Sequence, residues 1–221
     1  MRHLLLVLLL TTTCFADNRA GSVSALLPAA RIERAGAVMD AARGAKVQNN
    51  DLLRTDDQGR VRIKLLDQSL LSIGVKSQLR IVSHDSVSRQ TAVELNFGKL
   101  RAQVSKITRA GGKFELRTLT AIAGVIGTDF GVDATDPNVT KFICISGNVQ
   151  LSSLDPNIPG AITCRGGTTV TVRRGYHPDQ PERATHDQME NWKTITEPDQ
   201  PPPQTRSRIT ESQEYEVRSK K

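Results

Sequence analysis

Aromatic side chains are scarce in this sequence. They make up 4% of the 221 residues, and tryptophan occurs once, although hydrophobic residues together reach 38%. A core built from this chain must therefore consist mainly of Val, Ile, Leu and Ala. The scarcity also argues against a single-stranded nucleic-acid binder, because such proteins stack bases on aromatic rings placed among basic residues. We expect no nucleic-acid partner.

Long apolar runs are also missing, apart from one at the N-terminus. A membrane-spanning helix needs about 20 apolar residues, and the leucine-rich residues 4–10 fall short of this. The basic start, this run and the small residues before position 17 have the layout of a secretory signal peptide over residues 1–16, cleaved between Ala16 and Asp17. An uncleaved anchor and lipidation of Cys14 are alternatives. The mature protein is expected to be periplasmic or secreted, without a membrane span.

Cysteine is rare, with three residues in the chain. Cleavage after Ala16 removes Cys14 and leaves Cys144 and Cys164, an even pair in an oxidising compartment. We expect a disulfide between them, closing a loop worth roughly 3 kcal/mol in the chain-entropy model. Two buried thiols are the alternative.

Helical periodicity is nearly absent, and short alternating segments take its place. Val61, Ile63 and Leu65 alternate with basic residues, and turn sequences recur every 8 to 12 residues. This pattern predicts an all-β domain over residues 35–176, preceded by a leader over 17–34. The pattern alone does not separate a solenoid, a barrel and a sandwich. The tail, residues 177–221, is Pro-rich and expected to be mostly disordered, with a capping box that predicts one short helix near 185–195. Trp192 is expected to dock on the domain.

Residues 119–133, LTAIAGVIGTDFGVD, are the most apolar part of the predicted domain. Their small and β-branched residues predict two buried strands. Gly127 is expected to lie at the step between them, where the backbone bends or approaches another backbone closely.

No catalytic or metal-binding constellation stands out. His84, His177 and His186 lie in no nucleophile or metal motif, and His84 is expected in a solvated turn. Asp129, Asp133, Asp136 and Asn138 carry oxygen donors, but their spacing matches no calcium loop. Asp56 and Asp57 are adjacent and do not form the separated pair that glycoside hydrolysis needs. We therefore expect no enzyme activity and no cofactor.

Basic residues are in excess, with a formal net charge of +7. Alternation places Arg60, Arg62 and Lys64 on one strand face, which Arg101 is expected to extend. Such a face could bind an acidic envelope polymer or a protein partner. An ordinary solvated outer face is the alternative.

Five short motifs occur in an order that resembles the FecR domain. The motifs are DLLRT at 51–55, LLDQSL at 65–70, FGKLRA at 97–102, VIGTDFGV at 125–132 and SGNV at 146–149. Three positions depart from the family pattern, because Asn50 and Gln68 stand where the family usually has Gly, and Ile126 where it usually has Arg. Any role of that arginine does not transfer to this chain.

The resemblance implies a β-solenoid-like stack of short strands, with a β-sandwich as the alternative, in which Gly127, Thr128 and Phe130 are structural motif residues. It also implies a non-catalytic role, since FecR domains of regulators relay signals from an outer-membrane receptor to a sigma-factor partner. Because only the predicted signal peptide precedes the domain, this regulatory function is not expected to transfer with the fold.

Three functional hypotheses follow. The first is an extracytoplasmic binding or scaffold module that engages a protein partner or an envelope polymer. The second is an envelope-polysaccharide hydrolase with an active site assembled from distant acids. The third is a structural subunit of a cell-envelope assembly, or a component of a signal relay. The sequence does not indicate the oligomeric state.

Overall fold

A computed structural model describes residues 18–27 and 30–196. The predicted signal peptide, its cleavage site at Ala16 and Asp17, and residues 197–221 of the predicted tail lie outside the described residues. None of the helical structure in the described part is long and apolar enough for a membrane span.

The described chain consists of short strands followed by one helix. In chain order these elements are β1 (Arg19–Leu27), β2 (Ala30–Arg34), β3 (Ala37–Asp40), β4 (Lys46–Gln48), β5 (Leu52–Thr55), β6 (Arg60–Leu65), β7 (Leu70–Ile73), β8 (Gln78–Asp85), β9 (Gln90–Gln103), β10 (Lys113–Arg117), β11 (Ala121–Val125), β12 (Asp129–Asp136), β13 (Val139–Ser146), β14 (Asn148–Ser153), β15 (Ala161–Arg165), β16 (Thr168–Arg173), β17 (Glu182–Arg183) and α1 (His186–Thr196).

The strands form two layers. Layer A has the order β4–β1–β6–β7–β9–β12–β13–β16–β17. Layer B has the order β3–β2–β5–β8–β9–β10–β11–β14–β15. Among the described strands, pairing is antiparallel except between β9 and β10. The all-β prediction and the solenoid-like stack of short strands are confirmed, with hairpins that alternate between the two layers as the chain advances.

Strand β9 joins the layers because it belongs to both. Its first part pairs with β8 and β10 in layer B, and its second part, from Gly98, pairs with β12 in layer A. Gly98 has φ +99°, and a Cβ there would lie 2.1 Å from Oγ of Ser77. The crossing therefore requires glycine, since an L side chain fits neither the backbone angle nor the space.

The core lies between the layers and is mainly aliphatic, as the scarcity of aromatics predicts. Its alternating positions come from both layers, for example Val61 and Ile63 of β6 and Leu79 and Ile81 of β8, all fully buried. Cys144 of β13 and Cys164 of β15 are buried between the layers with their Cα atoms 6.1 Å apart, in disulfide contact. This separation is usual for a disulfide, so the geometry supports the expected bond across the layers.

The N-terminal boundary needs a correction. The leader was expected over 17–34, but Arg19–Leu27 and Ala30–Arg34 form β1 and β2, and β1 pairs with both β4 and β6. Ala20 and Val23 are buried in the core. The layers thus begin well before residue 35, because β1 pairs with β6. The sequence around β1 does not reveal this long-range pairing.

The predicted helix near 185–195 is present as α1, at His186–Thr196. The backbone N–H of Gln188 donates to Oγ1 of Thr185 at 3.2 Å, and the Thr185 N–H donates to Oε1 of Gln188 at 2.9 Å. This reciprocal pair is a capping box, the signal from which the helix was predicted.

Candidate functional site

An open groove of about 670 Å³ lies at one end of the two layers. Its lining consists of residues 103–106, 126–129 and 146–148, together with Gln68 and Leu70. Three of the family-like motifs, at 65–70, 125–132 and 146–149, meet here although they are far apart in sequence. The groove therefore exposes residues of three family-like motifs on one surface.

The groove floor is built around the Gly127 step. Strand β11 ends at Val125 in layer B and β12 begins at Asp129 in layer A, so the chain changes layers within three residues. Gly127 has φ +138°, and a Cβ there would lie 3.0 Å from Cα of Lys106. The prediction that residues 119–133 form two strands joined at a glycine step is confirmed.

Backbone and side-chain hydrogen bonds hold this floor. Val104 and Thr128 exchange backbone bonds of 2.9 and 3.3 Å, which continue the β9–β12 ladder. Oγ1 of Thr128 donates to the carbonyl of Asn148 at 2.9 Å, and Phe130 is fully buried in the core. Thr128 ties the step to the β13–β14 turn, and Phe130 anchors the start of β12.

The groove contains a carboxylate that is already neutralised. Asp129 accepts hydrogen bonds from Nε and Nη2 of Arg101 at 2.9 and 2.7 Å, and Nε2 of Gln103 lies 3.4 Å away. The Arg101 side chain is only 8% exposed. A two-pronged pair of this kind fixes the positions of both groups relative to each other.

The expected basic face is not formed as an open surface. Arg60 is 5% exposed, Arg101 is paired with Asp129, and Nε of Arg62 donates to Oγ of Ser72 at 3.1 Å. Lys64 is exposed. Alternation correctly indicated that the side chains share a strand face, but their burial and cross-strand partners could not be read from it, and binding of an acidic polymer is not supported.

Two of the departures from the family pattern have a common backbone conformation. Asn50 has φ +68° and Gln68 has φ +73°, in the left-handed region that favours glycine. Both residues therefore hold a backbone conformation that glycine would adopt without strain. The third departure, Ile126, places a 65% exposed aliphatic side chain in the groove lining.

The carboxylate of Asp51, which opens the first motif, is structural. It is fully buried and accepts two hydrogen bonds of 2.7 Å from Arg34 of β2 and one of 2.8 Å from the backbone N–H of Gln48. The hydrogen bond to Asp51 raises the pKa of Arg34. This pair attaches β2 to the loop that precedes β5.

His84 does not lie in a solvated turn, which corrects that expectation. It is 5% exposed near the end of β8, and its Nδ1 lies 2.9 Å from Oγ1 of Thr91, while its Nε2 has no hydrogen-bond partner within residues 18–27 and 30–196. Burial lowers the pKa of His84, with Arg89 acting in the same direction and the carboxylates of Asp67 and Asp85 opposing it.

The oxygen donors considered for a metal have other partners. Asp129 is paired with Arg101, Asp133 lies 3.3 Å from Nζ of Lys99, and Asp136 accepts the backbone N–H of Asn138 at 2.8 Å. Burial acts to raise the pKa of Asp133, but hydrogen bonds from Thr135 and the charge of Lys99 outweigh it, so the pKa lies below its usual value. Within the part of the chain that the structure describes, no three His, Cys, Asp or Glu residues are grouped as a metal site.

Sequence reasoning missed two features of this end of the molecule. One is the Arg101–Asp129 pair, whose members are 28 positions apart and face each other only once the register of β9 and β12 is known. The other is the role of Gly131, a glycine on β12 that lies under Trp192. The alternation of β12 predicts that position 131 faces outward. A glycine at this outward position was the signal in the sequence that another part of the chain packs against the strand there.

Comparison with known proteins agrees with the motif order. A family model described as FecR protein matches residues 51–150. No curated protein matches the sequence.

Two crystal structures of a protein from Parabacteroides distasonis ATCC 8503, provisionally assigned as an anti-sigma factor, are similar to this fold. They were solved at 2.50 and 1.65 Å; each aligns with a TM-score of 0.54 and 15% identity, over 65% of this chain and 64% of that chain. This chain thus spans less than two thirds of that protein's length, and at this identity the likeness shows the fold alone. The motifs at 51–55 and 146–149, the two-layer fold between them and the match of the family model together show that this chain carries a FecR domain over residues 51–150.

Proposed function

We propose that this chain is a non-catalytic, extracytoplasmic module that binds a protein partner through the groove at the Gly127 step. One observation supports this most directly. Motif residues from three distant segments converge on an open groove whose carboxylate, Asp129, is held by Arg101. A surface assembled in this way offers shape and hydrogen bonds rather than a reactive group.

The chemistry of the groove favours a protein over an acidic polymer. Its lining offers neutral hydrogen-bonding side chains, namely Gln103, Ser105 and Asn148, beside the exposed aliphatic side chain of Ile126. A polyanion would require several accessible cations, whereas an aliphatic group surrounded by polar groups is the usual composition of a protein-binding patch. The partner is therefore expected to present a polar segment with an apolar side chain that covers Ile126.

A role in signal relay is the second candidate. It is supported by the likeness of the fold to the Parabacteroides protein that is provisionally assigned as an anti-sigma factor. In that case the groove partner would be another protein of the relay, and the binding surface would be the same.

Affinity capture from envelope extract tests the proposal. The bait is the full chain, compared with I126D and with V38D as the matched control, because Ile126 and Val38 are 65% and 61% exposed but Val38 lies on the edge strand β3. We expect wild type and V38D to recover the same protein, and I126D to recover about tenfold less, the loss typical of a charge placed in an interface centre. Equal recovery by I126D would contradict the proposal.

A further inference from the structure

Trp192 of α1 lies against the outer face of layer A, on a position that only glycine can fill. A Cβ built on Gly131 of β12 would be 2.6 Å from Cδ2 of Trp192 and 2.9 Å from Cγ2 of Ile143. Ile143, directly opposite Gly131 in the β12–β13 register, is 2% exposed. Gly131 is thus the floor and Ile143 a wall of a socket for the indole ring.

A cation completes the socket. Nζ of Lys99 on β9 lies 5.8 Å from the centroid of the Trp192 ring, and the same atom is 3.3 Å from Asp133 of β12. A lysine ammonium at this distance attracts the face of an indole ring, and the carboxylate holds the ammonium in place. The socket therefore selects an aromatic side chain and not merely an apolar one.

The helix itself is attached along a narrow stripe. Among residues 186–192, whose side chains the structure describes, Met189 and Trp192 are half-buried and the others are exposed. The helix has 11 residues, and isolated helices shorter than about 12–15 residues are marginal in water. Docking of Trp192 and helix formation are consequently coupled.

We propose that the socket formed by Gly131, Ile143 and Lys99 is a helix-docking site, that it recognises an amphipathic helix with one aromatic anchor, and that α1 is its occupant within this chain. This surface adjoins the groove without sharing its lining residues. Asp129 lines the groove, and its partner Arg101 lies opposite Gly131 in the β9–β12 register.

Fluorescence of the full chain tests the docking directly, since Trp192 is the single tryptophan. Wild type should show blue-shifted emission and slow acrylamide quenching. G131V should shift the emission to the red and raise the quenching constant severalfold. Because docking and helix formation are coupled, the far-UV circular dichroism should lose helical signal and keep the β-sheet signal of the wild type. G124V is the matched control, because Gly124 is an exposed strand glycine where the nearest atom to a Cβ is 4.0 Å away. Unchanged emission in G131V would overturn the proposal, as would a wild-type Trp192 that is quenched like free tryptophan.

Recognition in trans tests the second half of the proposal. The full chain carrying W192A contains no tryptophan, so the emission of an added synthetic peptide of residues 184–196 reports its own binding. If α1 is more than 90% docked at an effective concentration of about 1 mM, the free peptide should bind with a dissociation constant on the order of 0.1 mM. A saturable blue shift that disappears in the G131V/W192A double variant supports the proposal. No saturable shift up to about 2 mM peptide overturns it.

The two proposals can fail independently. I126D should leave both the Trp192 emission and the binding of the peptide unchanged, because Ile126 lines the groove and not the socket.

Discussion

The interior between the two layers tolerates fewer substitutions than the exposed surface of the groove at their end. Between the layers, Cys144 and Cys164 are in contact and Gly98 lies against Ser77, so almost any change meets a neighbour. In the groove, Ile126 and Lys106 are exposed, and a change there meets solvent. Stability is therefore located inside and in the groove floor, whereas the exposed side chains of Ile126 and Lys106 can vary with little effect on folding.

The largest expected effect comes from the crossing strand. G98A should destabilise the fold by about 4 kcal/mol, because the new methyl group overlaps Ser77 and the backbone lies at φ +99°. G111A is the control, since Gly111 shares a positive φ of +76° but has no atom within 4 Å, and should cost about 1 kcal/mol. Urea unfolding measures both. Equal losses of stability in G98A and G111A would show that the lack of space beside Gly98 does not cause the destabilisation.

The disulfide between the layers should have the next largest effect. Reduction should lower the free energy of unfolding by about 3 kcal/mol, the chain-entropy value for a loop of this size. Unfolding midpoints with and without reductant give the difference, and thiol titration of the unfolded, exported protein should find neither Cys144 nor Cys164 free. Two titratable thiols, or an unchanged midpoint, would contradict the bond.

His84 should make the interior sensitive to mild acid. Its folded pKa is lowered, so as the pH falls below about 6.5 the unfolded chain takes up the proton first, and stability is lost at up to about 1.4 kcal/mol per pH unit until the folded pKa is reached. Above pH 6.5 this contribution is fully present. Unfolding measured between pH 7 and 5 should lose this slope in H84Q and keep it in H177Q, because His177 is exposed. If the slope persists in H84Q, the pH dependence of stability comes from another titratable group.

The smallest expected effect is a gain at the groove rim. Q68G should stabilise the fold by about 1 kcal/mol, because it relieves a left-handed backbone at an exposed residue, less the entropy that glycine adds to the unfolded chain. N50G should gain only a few tenths of a kcal/mol, since asparagine tolerates this conformation better than glutamine. Thermal or urea unfolding resolves the two. A loss of stability in Q68G would mean that the Gln68 side chain contributes more than its backbone strain costs.

Much of the interior could be predicted from the sequence, and the reasons are local. The strand β6 follows from an alternation with a period of two residues, and the strands on either side of Gly127 follow from their small and β-branched residues. The capping box at Thr185 defines the start of α1. What could not be predicted depends on partners distant in the chain. Strand β1 was missed because its pairing with β6 is not encoded locally, and Arg101 was assigned to an open basic face because Asp129 reaches it only through the strand register. The groove combines three such distant segments, so its motifs were recognisable in the sequence but their convergence was not.

The central claim, that the groove binds a protein, is tested most directly by placing a photo-reactive amino acid at position 126 in the exported full chain. We predict that irradiation in cells joins this position to one protein, and that the same group at position 38, equally exposed on β3, forms no such adduct. Absence of an adduct at position 126, or the same adducts from both positions, would contradict the account.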